Sequence, residues 1–109
     1  MRSLEKVVQW LEGRKAAYEF TETGIKAKVL LQDNERLVRV VRGVKGNLIG
    51  RVKGTGKIAV FPEVFSEEIE EGGVLACRLV ERDNYFIAIP LSIQNDPQSG
   101  INIFWIERP

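Results

Sequence analysis

The sequence predicts a mainly β protein of the α+β kind: a small antiparallel barrel or strongly curved sheet preceded by one N-terminal helix. Three observations predict it. An apolar stripe at helical spacing occurs once, near the start. Beyond it the apolar period shortens across brief runs rich in Val, Ile and aromatic residues, and these runs are separated by turn formers too closely spaced to leave room for crossover helices. The 109 residues suffice for one domain with a real core but not for two of ordinary size. Residues 1–109 are therefore expected to fold together, with the helix in 1–18 and a barrel-like body in 19–109.

The helix is justified by Leu4, Val7, Val8 and Leu11 sharing one helical face, with Ser3 as its cap and Glu5 near the positive end of the dipole. It is expected to end near Gly13 or to continue through Arg14-Lys15 to about Tyr18. Trp10, beside the stripe, is expected to anchor the helix on a sheet. Strands are predicted over 17–21, 25–31, 36–42, 48–53, 57–61, 74–81, 85–91 and 101–106, with Gly, Asn, Asp and Pro supplying the turns between them. Pro62 opens the one inter-strand segment, 63–71, with room for a short helix.

Composition removes much chemistry. Histidine is absent, which excludes Ser-His-Asp and Cys-His catalysis and every imidazole-ligated zinc site. The single cysteine, Cys77, has no disulfide partner within the chain, and its place in an apolar run predicts a buried small residue. No apolar stretch approaches the roughly 20 residues of a membrane span, and the N-terminus does not read as a secretory signal. The expectation is a cytoplasmic protein with no membrane association, no cofactor and no enzymatic activity.

Charge is more informative than its total of +1. Residues 1–60 carry 13 Lys and Arg against 6 Asp and Glu, whereas 61–109 carry 3 against 9. Seven of these cations, Arg36, Arg39, Arg42, Lys45, Arg51, Lys53 and Lys57, fall in a 22-residue segment that holds no acid. Strand alternation divides them between faces, so they are not expected to form a single patch. Glycines in 43–47 and 53–57 permit tight turns that present backbone N–H groups to a phosphate, although neither a Walker motif nor a dinucleotide fingerprint is present. The segment therefore reads as an electrostatic surface for a nucleic-acid backbone. The competing reading is protection of exposed strand edges, which does not require so long a run without acids. Stacking groups for bases are sought among Phe61, Tyr85, Phe86, Phe104 and Trp105, with Tyr85, beside the Asp83-Asn84 turn, the least suited to full burial.

The run Gly50-Arg51-Val52-Lys53-Gly54-Thr55-Gly56-Lys57-Ile58-Ala59-Val60-Phe61-Pro62 resembles the centre of a TRAM domain. The Gly-led strand from Glu71 to Val80 and the turn and strand from Arg82 to Ala88 also resemble that family. The resemblance covers residues 36–90, about half the chain. It implies a small OB-like barrel that binds RNA, with Arg51, Lys53, Lys57, Arg78 and Arg82 on phosphates and Tyr85 stacked on a base. Arg39, Arg42 and Lys45 join this set on charge alone. The sequence departs from the pattern in its longer, acidic 63–71 connection and in Asp83, where a basic residue is expected. The N-terminal helix and C-terminal strand lie outside the resemblance.

Residues 56–62, the acidic segment after them and the Gly-led strand are also similar to AbrB-type swapped-hairpin domains, dimers that bind duplex DNA. Glutamates at 63, 67, 68, 70 and 71 fit that similarity less well, since they repel a DNA face. Glu67 with Glu71, or Glu63 with Glu67, would share a helical face suited to a hard cation, but nothing nearby completes a coordination shell, so a solvated acidic helix is the preferred reading and no metal is expected. The expected partner is RNA or single-stranded DNA. The alternative is a homo-oligomer in which the basic segment of one copy meets the acidic segment of another.

Overall fold

The structure, a computed structural model, describes residues 4–91 and 93–109. The predicted helix forms as α1 (Leu4–Gly13), with Val7 and Leu11 buried. The expected cap at Ser3 lies outside the described residues. The helix does not run on to Tyr18, because Lys15 turns left-handed at φ 57°. Around it the Ala16 N–H donates to the Leu11 carbonyl (3.0 Å) and the Lys15 N–H to that of Glu12 (3.0 Å), the paired bonds of a Schellman stop.

Eight strands follow: β1 (Ala17–Phe20), β2 (Ile25–Leu30), β3 (Glu35–Arg42), β4 (Leu48–Val52), β5 (Ile58–Val60), β6 (Val74–Glu81), β7 (Tyr85–Pro90) and β8 (Ile101–Ile106). Between β5 and β6 a 3-10 helix, Glu63–Glu68, starts directly after Pro62, where a short helix was expected. The strands do not make the single body expected over 19–109. The described residues divide into two compact units, one drawn from residues up to Leu31 and beyond Leu91, the other Gln32–Leu91.

In the first unit α1 covers a three-stranded sheet of order β1-β2-β8. Strand β8 runs parallel to β2, with Ile25 opposite Ile101 and Leu30 opposite Ile106. A parallel pair needs a long connection, and here that connection contains the whole second unit. Val7 and Leu11 of the helix stripe pack on Ile25, Ala27, Val29, Ile101 and Ile103, the inward-alternating residues of the sheet. Trp10 does anchor the helix: it packs against this core and meets Trp105 edge to face at 6.0 Å.

The second unit is a closed five-stranded barrel of order β3-β4-β5-β7-β6. Strands β3, β4 and β5 are consecutive antiparallel neighbours, and β6 returns beside β3, which is the Greek-key arrangement. Strand β7 pairs antiparallel with β6 and parallel with β5, closing an OB-like barrel through the one seam that is not antiparallel. Small residues line the interior: Val38, Val52, Ala59, Cys77 and Ala88, with Leu75, Leu79, Phe61 and Phe86 filling the remainder. Gly50 belongs to this inner face. A Cβ there would run into Val38 and Ala59, so only glycine lets the barrel walls approach this closely. Cys77 is fully buried as expected, and desolvation pushes its thiol pKa up to about 12.

Candidate nucleic-acid interface

The barrel unit has nine Lys and Arg and nine Asp and Glu, so any anion site must come from placement and not from total charge. Register decides that placement. On β3, Val38 and Val40 are buried and Arg39 between them is exposed; on β4, Gly50 and Val52 are buried and Arg51 is exposed. Arg39 stands directly opposite Arg51, and opposite Val74 on its other side. Arg51 is opposite Ile58, and Ile58 is opposite Tyr85. The outside of the barrel therefore carries one unbroken row, Val74–Arg39–Arg51–Ile58–Tyr85, running across five strands. Val74, Ile58 and Tyr85 are exposed at 49%, 42% and 39%, which leaves apolar surface on both sides of the arginine pair.

Two like charges directly opposite on a ladder repel each other. Among the described residues neither Arg39 nor Arg51 has a side-chain hydrogen bond or salt bridge to relieve this. Lys53, just past the end of β4 and two residues from Arg51, is likewise exposed and unpaired. These three cations form the surface that an anion can neutralise.

The other predicted cations have different surroundings. Arg42 is taken up at the hairpin between β3 and β4: its guanidinium pairs with Glu71 at 2.9 Å and donates to the Gly46 carbonyl at 2.6 Å, pinning the 43–47 loop. Lys45 is exposed on that loop, beyond the end of the ladder that holds the arginine row. Lys57 sits at the other end of the barrel with its ammonium 3.0 Å from Glu81 and 2.9 Å from the Arg82 carbonyl, above the Phe86 ring. It fastens the 53–57 loop to the 82–84 turn and brings no unpaired charge. Arg78 is exposed but lies opposite the buried Glu35, four residues or about 13 Å along β6 from Val74, away from the row. Arg82 is exposed in the β6–β7 turn next to Tyr85, with one N–H on the Glu81 carbonyl at 3.2 Å.

Of the aromatic candidates, Phe61 and Phe86 pack into the barrel core. Trp105 packs against the core of the first unit, and Phe104 is 46% exposed on that unit's sheet beside Lys26. Tyr85 remains in the row, at the rim of an open hollow lined by Lys57, Glu81, Arg82, Asp83, Asn84 and Tyr85. The structure thus joins Arg39, Arg51, Lys53, Arg82 and Tyr85, places Lys57 in the hollow beside Tyr85 with its charge already paired, and sets Arg42, Lys45 and Arg78 apart. Sequence reasoning missed Ile58, Val74, Asp83 and Asn84. Nothing in an apolar run such as Ile58-Ala59-Val60 distinguishes the outward residue from the inward one, whereas the polar Asp83-Asn84 turn just before Tyr85 was a usable signal.

Among the described residues no helix is long and apolar enough to cross a membrane. In comparisons with protein families, curated proteins and solved structures, the chain matches no family model, no curated protein and no solved structure.

Proposed function

We propose that this protein is a non-enzymatic binder of RNA or single-stranded DNA, holding the strand across the outside of its barrel. The observation that carries the reading is the Arg39–Arg51 pair: two exposed arginines directly opposite each other on neighbouring strands with no carboxylate partner, flanked by exposed Ile58 and Tyr85. Phosphates bridge the arginines and Lys53, and a base lies on Tyr85, the combination of cationic track and aromatic platform that single strands require. Barrels of this type use the face of their second and third strands and the adjoining loops for oligonucleotides, and Arg51 and Ile58 lie on those strands. Because β3 to β7 close within one chain, no strand from a second copy is needed, which favours this reading over the swapped-hairpin dimer on duplex DNA. A cytoplasmic location accords with it, since a lone thiol such as Cys77 stays reduced there.

Fluorescence anisotropy with a labelled single strand, titrated at several salt concentrations, tests the proposal. Affinity that falls steeply with salt, and that is lost in Arg39→Glu and Arg51→Glu, is the expected result. Weak binding indifferent to salt overturns it. Salt-sensitive self-association without nucleic-acid affinity would instead establish an assembly module.

A further inference from the structure

The hollow beside Tyr85 differs electrically from the arginine row. Its lining sets two cations, Lys57 and Arg82, against two carboxylates, Glu81 and Asp83. Lys57 is already bound to Glu81 and to the Arg82 carbonyl. A phosphate therefore gains little by entering and meets the exposed Asp83 carboxylate. A neutral heterocycle meets no such penalty.

Asp83 and Asn84 form the tip of the β6–β7 hairpin, which is closed by the Arg82 N–H donating to the Tyr85 carbonyl at 2.8 Å. Neither side chain has a hydrogen-bond or ion-pair partner among the described residues. Their polar atoms are held by a short turn next to an exposed aromatic ring. Arg51 lies two strands from Tyr85, about 10 Å at ordinary strand spacing.

Resting on the single-strand reading above, we propose that this hollow is a nucleobase site selecting the amino pyrimidine, cytosine, over the keto pyrimidines, uracil and thymine. The base lies against Tyr85 with its edge toward Asp83 and Asn84, while its phosphates run out to Arg51 and Arg39. An ionised Asp accepts hydrogen bonds and cannot donate them; Asn does both. Cytosine presents its N4 amine, and adenine its N6 amine, as donors to Asp83. Uracil and thymine present O4 there, setting lone pair against lone pair. Asp83, which stands where a basic residue was expected, is on this reading what reads the base.

Labelled oligocytidine and oligouridine of about eight nucleotides, within the footprint of one such barrel, test the inference by anisotropy on the full chain. The two pyrimidines differ at the amino or keto position while matching in ring size. The wild type is expected to bind oligocytidine roughly tenfold more tightly, the discrimination of one good base-edge contact. Asp83→Ala is expected to weaken oligocytidine alone, bringing the two affinities together, whereas Asn84→Ala, which removes a group that both donates and accepts, and Arg39→Glu each weaken both. Equal wild-type affinities, or an Asp83→Ala variant that changes both oligomers alike, overturn the nucleobase site and leave single-strand binding standing. Absence of salt-dependent binding to either oligomer overturns both.

Discussion

Arg39 of β3 and Arg51 of β4 stand directly opposite each other in an antiparallel ladder, both exposed on the outside of the barrel and neither held by a carboxylate. The arrangement costs the fold a small repulsion and gives the surface a concentrated positive charge. It thus links stability and binding with opposite signs.

Arg51→Glu separates the two effects. It replaces the repulsion with a cross-strand ion pair to Arg39, so the unfolding free energy is expected to rise by about 0.2–1 kcal/mol. Single-strand affinity is expected to fall for all sequences. With both arginines removed from phosphate contact, the slope of log affinity against log salt becomes shallower by roughly 1.4. Denaturant titration and anisotropy on the same protein check the pair of outcomes; loss of binding with loss of stability would mean the arginines serve the fold.

Tyr85 supplies a ring at the end of the row, and its side chain is not needed to fill the core. Tyr85→Ala is expected to weaken single-strand binding by about 1–3 kcal/mol while Tyr85→Phe retains most of it. Equal loss in both variants would point to the hydroxyl and against stacking.

At Gly50 the interior leaves no room for a methyl group, since Val38, Ala59 and Phe61 surround the position. Gly50→Ala is expected to destabilise the protein by about 1–3 kcal/mol through overpacking, read from the midpoint of urea unfolding.

Lys15 holds the left-handed position of the Schellman stop at φ 57°. Glycine adopts this conformation without the Cβ penalty, so Lys15→Gly is expected to raise stability by about 1 kcal/mol, visible as an increase in Tm.

Burial of Cys77 raises its thiol pKa from 9.0 to about 12. Unfolded chains therefore release this proton at lower pH than folded ones. The stabilisation is fully present below pH 9 and is lost progressively as pH rises toward 12. Cys77→Ala is expected to flatten that alkaline decline in denaturant titrations, and a thiol reagent at pH 8 is expected to label the native protein only as fast as it opens.

The sequence by itself determined the helix, the number and approximate bounds of the strands, the burial of Cys77 and the concentration of cations over 36–57. These features are local. Leu4, Val7 and Leu11 share a helical face whatever lies beneath them, and turn formers interrupt strands wherever the strands go. The two-unit division was not legible, because nothing in the composition of 101–106 says that this strand returns to lie parallel with β2. Nor was the fate of individual cations. Arg42 and Arg51 read alike in the sequence, yet one is neutralised by Glu71, 29 residues away, and the other faces Arg39. Only strand register decided this, because a shift of one residue exchanges the inner and outer faces of a strand. A basic segment was therefore predictable from the order of residues; an arginine pair in line with Tyr85 required the closed barrel.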